Sequence, residues 1–268
     1  MTLPTHFVFS QTSLRDYVEC PRRFELRYIQ GLKWPAVESE PVVEREQHMQ
    51  RGADFHHMVH QHSLGIPAEV LSARVMDQQL AGWWRNYLNA DLLHTLPARR
   101  YAEIQLTAPL LNYRLVAKFD LLALGERAVI VDWKTSERKP KDLDTAMQTR
   151  VYRYVLAAGG AGLNGGLPIP PEQIEMMYWF AALPESPEHL PYTTAQYDAD
   201  RDYLETLVRE IETRRVFDLT TDTRRCAFCT YRSLCERGVR AGAGDPDSVD
   251  EDFDPDDFNF DQIAEVEF

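Results

Sequence analysis

The sequence predicts an α/β fold, a mixed β-sheet core flanked by helices, and three observations carry that expectation. Ala117 to Thr135 reads AKFDLLALGERAVIVDWKT, two apolar runs around a short turn containing Gly125, the pattern of a β-hairpin. Val129, Ile130 and Val131 form a continuous apolar run, which suits a strand covered on both faces. Stretches with helical spacing stand before and after this hairpin. The 268 residues suffice for one large domain or a core with appendages, and the apolar fraction of 44% is ordinary for a globular chain.

Taken in order, Ser13 is the expected N-cap of a first helix carrying Leu14, Tyr17 and Val18, and Pro21 opens a second. Phe24, Tyr28 and Ile29 continue the apolar face. Cys20 lies between the two helices and, taken alone, reads as a small buried hydrophobe. Arg22, Arg23 and Arg27 serve either nucleic-acid phosphates or a solvated outer face. Glu38 to Gln61 is largely helical. His56 and His60, four apart, share a face, and His57 points elsewhere. Met76 to Leu93 is another helix, whose Trp83, Trp84 and Tyr87 read as core rather than as a base-stacking platform. Tyr101 to Pro109 is an alternating strand, with Ala102, Ile104 and Leu106 against Glu103, Gln105 and Thr107.

The central hairpin carries the chemistry. Side chains alternate along a strand, so Asp132 and Lys134 point the same way. A loop of Gly125 to Arg127 pairs Leu124 with Ala128 and, counting back, sets Asp120 opposite Asp132. A two-residue loop would put Phe119 there instead. In the first register, two carboxylates and an ammonium meet at one end of a buried hairpin. Close carboxylates repel unless a cation lies between them, and a hard cation seeking oxygen ligands is Mg²⁺ or Mn²⁺. The plainer alternative is a solvated edge pair with Asp120 in a turn, but charges ending a buried strand are costly unless paired or metal-bound.

After the hairpin, Lys139 and Lys141 lie in a loop, and Asp144 to Ala157 is a helix with Gln148 and Tyr152 one turn apart on one face. Gly159 to Pro171 is a Gly/Pro-rich loop. Ile174 to Leu183 is a buried strand, and Asp198 to Arg215 a charged amphipathic helix. Cys226, Cys229 and Cys235 then follow in C-x₂-C-x₅-C spacing. With Cys20 they make a four-thiolate set, suited to an iron–sulfur cluster or a tetrahedral zinc.

Charge is unevenly placed. The net charge is −13, but Asp245 to Phe268 holds eight Asp and three Glu with no Lys or Arg, which leaves −2 for the rest. A nearly neutral body with local basic clusters is compatible with nucleic-acid binding. The acidic segment, with Phe253, Phe258, Phe260 and Phe268 interspersed, is too polar to build a core and is expected to be a disordered tail. It would serve as a phosphate mimic in a basic groove or as a docking peptide for a protein partner. No apolar run suits a bilayer span, and the start MTLPTHFVFSQ lacks signal-peptide character. A cytoplasmic protein with reduced thiols is therefore expected, its cysteines ligands rather than disulfides.

Asp120 at a strand end, followed by Asp132-Trp133-Lys134 on the next strand, resembles the PD-(D/E)XK nuclease superfamily, and the flanking motifs are similar to its RecB-like members. Gly52 and His56 match a Gly-x-x-x-His motif whose His binds metal, Glu103 matches an accessory Glu, and Gln148 and Tyr152 match Gln-x-x-x-Tyr. Cys20 with the C-terminal cysteines resembles the iron–sulfur subset, which includes the AddB nuclease domain and the four-cysteine nucleases of CRISPR adaptation. The resemblance spans Ser10 to Cys235.

It implies a restriction-endonuclease-like core with N-terminal helices tied to a C-terminal cysteine cluster. It also implies a structural [4Fe–4S] group on Cys20, Cys226, Cys229 and Cys235. Mg²⁺ or Mn²⁺ would sit on His56, Asp120, Asp132 and the Trp133 carbonyl, with Lys134 catalytic and Gln148 and Tyr152 positioning DNA. The expected division is 1–95 helical, 96–215 nuclease core, 216–244 cluster segment and 245–268 tail. The expected activity is exonucleolytic hydrolysis of DNA, on single strands or ends, in repair, recombination or CRISPR adaptation. Two other classes remain open on sequence: a catalytically silent DNA-binding or scaffolding subunit, and a zinc-stabilised interaction module.

Overall fold

The computed structural model describes residues 3–4, 6–33 and 40–238, the side chains of 40–46 excepted. The expected acidic tail lies outside the described residues. The order is β1 (Val8–Ser10), α1 (Gln11–Glu19), α2 (Pro21–Phe24), a π-helical turn (Glu25–Ile29), α3 (Glu40–Ser63), α4 (Ala68–Ser72), α5 (Gln78–Leu88) and α6 (Leu92–Thr95). Then come β2 (Arg99–Leu110), β3 (Tyr113–Leu124), β4 (Ala128–Lys134), α7 (Met147–Gly159), β5 (Ile174–Phe180), β6 (Glu188–Pro191) and α8 (Thr194–Thr213).

The fold class is as expected: six strands form one mixed sheet flanked by helices. β3 is its axis. Antiparallel β2 covers one edge along the whole strand, while the other edge takes parallel β1 at its start and antiparallel β4 at its end. β5 lies parallel to β4, and β6 closes the far side antiparallel. The hairpin has the expected register: Leu124 pairs with Ala128, and the Gly125 N–H donates to the Arg127 carbonyl at 2.9 Å. The ladder stops at Leu121 opposite Val131, one residue short of Asp120 and Asp132.

Two apolar layers sandwich the sheet. The first joins Phe9, Leu14, Phe24, Phe119, Ile130, Val155 and Leu204. The second joins Phe55, Val59, Trp83, Trp84, Val131 and Trp179. Val129, Ile130 and Val131 are fully buried between them, each contributing roughly 1.5–3 kcal/mol by leaving water. Trp83, Trp84 and Tyr87 are core, as read from sequence. Among the described residues no helix is long and apolar enough to cross a membrane.

Several local readings change. The N-cap of α1 is Ser10, not Ser13; the two close a reciprocal capping box, Ser13 N–H to Ser10 Oγ at 3.2 Å and Ser10 N–H to Ser13 Oγ at 2.9 Å. Val18 is half exposed rather than on the apolar face. The helix expected from Met76 to Leu93 divides into α5 and α6. Strands β1 and β6 and helix α4 are too short to announce themselves in a periodicity window. Arg22, Arg23 and Arg27 are all ion-paired within the chain, Arg22 with Glu25, Arg23 with Asp16 and Glu19, and Arg27 with Asp16, while Arg22 and Arg27 keep about a third of their side chains exposed.

Candidate active site

Asp120 and Asp132 stand where the β3–β4 ladder ends, and each is held from a different layer. On β4, alternation sends Val131 and Trp133 into the second layer and leaves Asp132 and Lys134 facing α7. Lys134 Nζ lies 3.0 Å from Asp132 Oδ2 and 5.6 Å from the centroid of the Tyr178 ring on β5. Gln148, in the first turn of α7, bridges the pair: its Nε2 donates to Asp132 Oδ1 at 2.6 Å, and its Oε1 accepts from Lys134 Nζ at 2.9 Å.

Asp120 turns the other way. Along β3, Phe119 and Leu122 both pack into the first layer although three apart, and Leu121 packs into the second. Strict alternation would separate Phe119 from Leu122, so the pleat is reset between them. The neighbouring strand resets at the same rung. Tyr101 and Ile104 share the first layer, Ala102 joins the second, and Glu103 between them has φ +53°. The register is unchanged across the reset, with Ala102 opposite Leu121 and Ile104 opposite Phe119. A left-handed residue therefore shifts the pleat without inserting one.

The consequence is that Asp120 meets α3, where His56 Nδ1 lies 3.4 Å from Asp120 Oδ1. Its other oxygen, Oδ2, accepts from the Trp133 N–H at 2.8 Å. Asp120, Asp132 and His56 are all buried. Burial alone would raise the Asp120 carboxyl, but His56, the Trp133 N–H and Lys134 more than offset it and hold the group below its ordinary value.

The remaining expected residues are distributed more widely. Tyr152 is buried, its ring edge-on to Phe119 with centroids 5.1 Å apart. The Glu103 carboxylate pairs with Lys118. His57 is exposed and His60 half-buried. Among the described residues no three His, Cys, Asp or Glu side chains stand as a ready metal site. The carboxylates are engaged instead by Lys134, Gln148, His56 and the Trp133 N–H. As a donor set, two carboxylates at the level where the β3–β4 pairing ends, with an imidazole from α3, match the chemistry of a hard divalent ion, and Mn²⁺ accepts the imidazole more readily than Mg²⁺.

The four cysteines lie near enough for Cys20 to act electrostatically on Cys226, Cys229 and Cys235, although they too do not stand as a ready metal site among the described residues. Cys20 is the hinge between α1 and α2; Cys226, Cys229 and Cys235 lie in tight turns, with the Cys229 N–H donating to the Cys226 carbonyl at 3.3 Å. All four are free thiols. Burial pushes Cys229 up to about 11, with Cys20 and Cys226 adding to it. Burial first and Cys20 second also raise Cys226 and Cys235. The four are neutral as thiols and would repel one another only as thiolates; as a donor set, four sulfurs with Arg23, Arg232 and Arg237 nearby match in chemistry what an iron–sulfur group or zinc takes. Glu19 fastens this segment to α1, pairing with Arg23 and with Arg225.

What sequence reasoning missed here is the pleat reset at Glu103 and the bridging of Asp132 to Lys134 by Gln148. The first leaves no signal, since Glu is not a residue that favours positive φ.

A model described as the PD-(D/E)XK nuclease superfamily matches residues 8–236. No curated protein sequence matches the chain significantly. Among solved structures, the chain is similar to a candidate exonuclease from Eubacterium rectale, with 12% identity, TM-score 0.51, and coverage of 86% of this chain and 88% of that one. It is also similar to SSO0001, with 13% identity, TM-score 0.40 and coverage of 88% of each chain.

Proposed function

The chain belongs to the PD-(D/E)XK nuclease superfamily, and from that premise we propose that it is a metal-dependent DNA exonuclease of the RecB-like, four-cysteine kind. It would act on single strands or ends, in DNA repair, recombination or CRISPR adaptation. The observation that supports this most is the Asp132–Lys134–Gln148 triangle next to Asp120, whose carboxylate accepts the Trp133 N–H.

Asp120, Asp132 and His56, with the Trp133 carbonyl, would hold Mg²⁺ or Mn²⁺. When bound, the ion supplies charge stabilisation at the phosphate and acidifies the attacking water. Lys134 brings an ammonium to the same place, held by Asp132 and Gln148, where it orients that water and stabilises charge growing on the phosphate oxygens. Gln148 fixes the rotamers of both. Tyr152, packed on Phe119, holds the middle of β3 against α7 and would position the DNA strand through that placement.

Cys20, Cys226, Cys229 and Cys235 would hold a [4Fe–4S] group that ties the N-terminal helices to the C-terminal segment. Cys→Ala at any of them is expected to lower solubility and melting temperature. The acidic segment after Gly244 would restrain the DNA groove or dock a protein partner. Deleting it is then expected to raise DNA affinity at low salt, and an unchanged affinity contradicts the restraint.

End-labelled single- and double-stranded oligonucleotides, with Mg²⁺, Mn²⁺ or EDTA, test the activity. The expected result is stepwise shortening from an end that EDTA abolishes. Intact substrate under every metal condition would instead mark a silent DNA-binding or scaffolding subunit.

A further inference from the structure

Only two arginines among the described residues are buried, Arg153 and Arg232. They are treated differently. Arg153 lies 2.6 Å from Asp144 and 3.6 Å from Asp200, so its charge is answered by carboxylates. Arg232 has no carboxylate within ion-pair distance among the described residues. It is 9% exposed, its Nη1 donates to the Ala227 carbonyl at 2.7 Å, its Nη2 reaches the Arg237 carbonyl at 3.5 Å, and its Nε meets no acceptor. Neutral carbonyls orient a guanidinium, but they do not cancel its charge, and a cation kept from water needs an anion.

Its position shows where that anion would be. The Ala227 carbonyl that it grips lies between Cys226 and Cys229, and its own N–H donates to the Cys229 carbonyl at 3.1 Å. Arg232 thus sits inside the loop of the three C-terminal cysteines. As free thiols these are neutral. As four thiolates around iron and sulfide, or around Zn²⁺, they carry net negative charge.

We propose that Arg232 is the built-in counter-cation of the metal–thiolate group on Cys20, Cys226, Cys229 and Cys235, so that its charge retains the metal and, for an iron–sulfur group, raises its reduction potential. This rests on the reading that the cysteines hold a metal, though not on which one. With the guanidinium removed, the reduced and more negative state of the group loses more than the oxidised state does, so the potential falls.

The test uses the full chain purified without oxygen, as wild type, Arg232→Lys and Arg232→Gln. Iron, sulfide and zinc are measured per chain, then the rate of metal loss to excess EDTA. Lys keeps the charge and gives up the forked grip on the carbonyls; Gln keeps a donor and gives up the charge. The expected result is metal loss about tenfold faster in Arg232→Gln and within about twofold of wild type in Arg232→Lys. If iron and sulfide are present, a lower potential is expected in Arg232→Gln alone.

Equal loss in both variants would make Arg232 a loop fastener and overturn the proposal, as would no change in either. Where Arg232→Gln does not fold, tenfold faster loss from folded Arg232→Lys overturns it alone. Zinc without iron in the wild type overturns the [4Fe–4S] reading and leaves the charge comparison standing. A wild type that holds no metal even after reconstitution overturns both.

Discussion

Gln148 donates to Asp132 Oδ1 at 2.6 Å while accepting from Lys134 at 2.9 Å. One amide therefore fixes both charged groups of the β4 end, from a helix in a different layer. Gln148→Leu keeps the volume and removes both bonds. Initial rates of DNA cleavage are expected to fall by roughly 10–100-fold, with the metal concentration for half-activity rising. Unchanged rates in Gln148→Leu would show that Asp132 and Lys134 hold their positions without it.

Gly159, the last residue of α7, lies against β2. A Cβ there would run into the Thr107 carbonyl, and backbone cannot step aside as a flexible side chain can. Gly159→Ala is expected to cost about 1–3 kcal/mol, read as a lower midpoint in urea. Gly162→Ala, where nothing lies within 4 Å of the added atom, is the control and should leave the midpoint near wild type.

Arg153 and Arg150 on α7 grip Asp200 on α8, and Tyr192 donates to the same carboxylate at 3.1 Å. Arg153→Met leaves a buried carboxylate short of one counter-charge, and a loss of roughly 3–5 kcal/mol is expected. Adding Asp200→Asn should recover part of it, since the uncompensated charge is then gone. A double mutant as unstable as the two losses added together would deny the coupling.

Asp120 gives the acid response a direction. Burial opposes its charge, yet His56, the Trp133 N–H and Lys134 keep its carboxyl below 3.8, the ordinary value. The unfolded chain therefore takes up the proton first as pH falls, and the contribution of Asp120, fully present above that ordinary value, is lost as pH drops through the lower folded one. Without added divalent ion, Asp120→Asn is expected to lose stability less steeply than wild type below about pH 4. Urea titrations from pH 6 to pH 3 would show it, and equal slopes would contradict it.

Much of this was legible because it is local. The Gly125–Arg127 turn fixes the count that places Asp120 at the level of Asp132, and period-two alternation puts Asp132 and Lys134 together. His56 and Gln148 were legible only through spacing shared with a family, since nothing local says that α3 and α7 close on opposite sides of one strand end. The reset at Glu103 and Asp120, the Asp16 pairing of Arg23 and Arg27, and the burial of Arg232 were not legible. Each depends on contacts between segments distant in sequence, or on a backbone angle that the residue type does not favour.

The most direct test is cleavage of end-labelled DNA by Asp132→Asn and Lys134→Met, beside wild type, with Mn²⁺ and with melting curves on the same preparations. Both variants are expected to melt as folded proteins and to lose at least about a hundredfold in rate. Wild-type rates from either one, in a preparation free of contaminating nuclease, would contradict the assignment of this strand end as the catalytic centre.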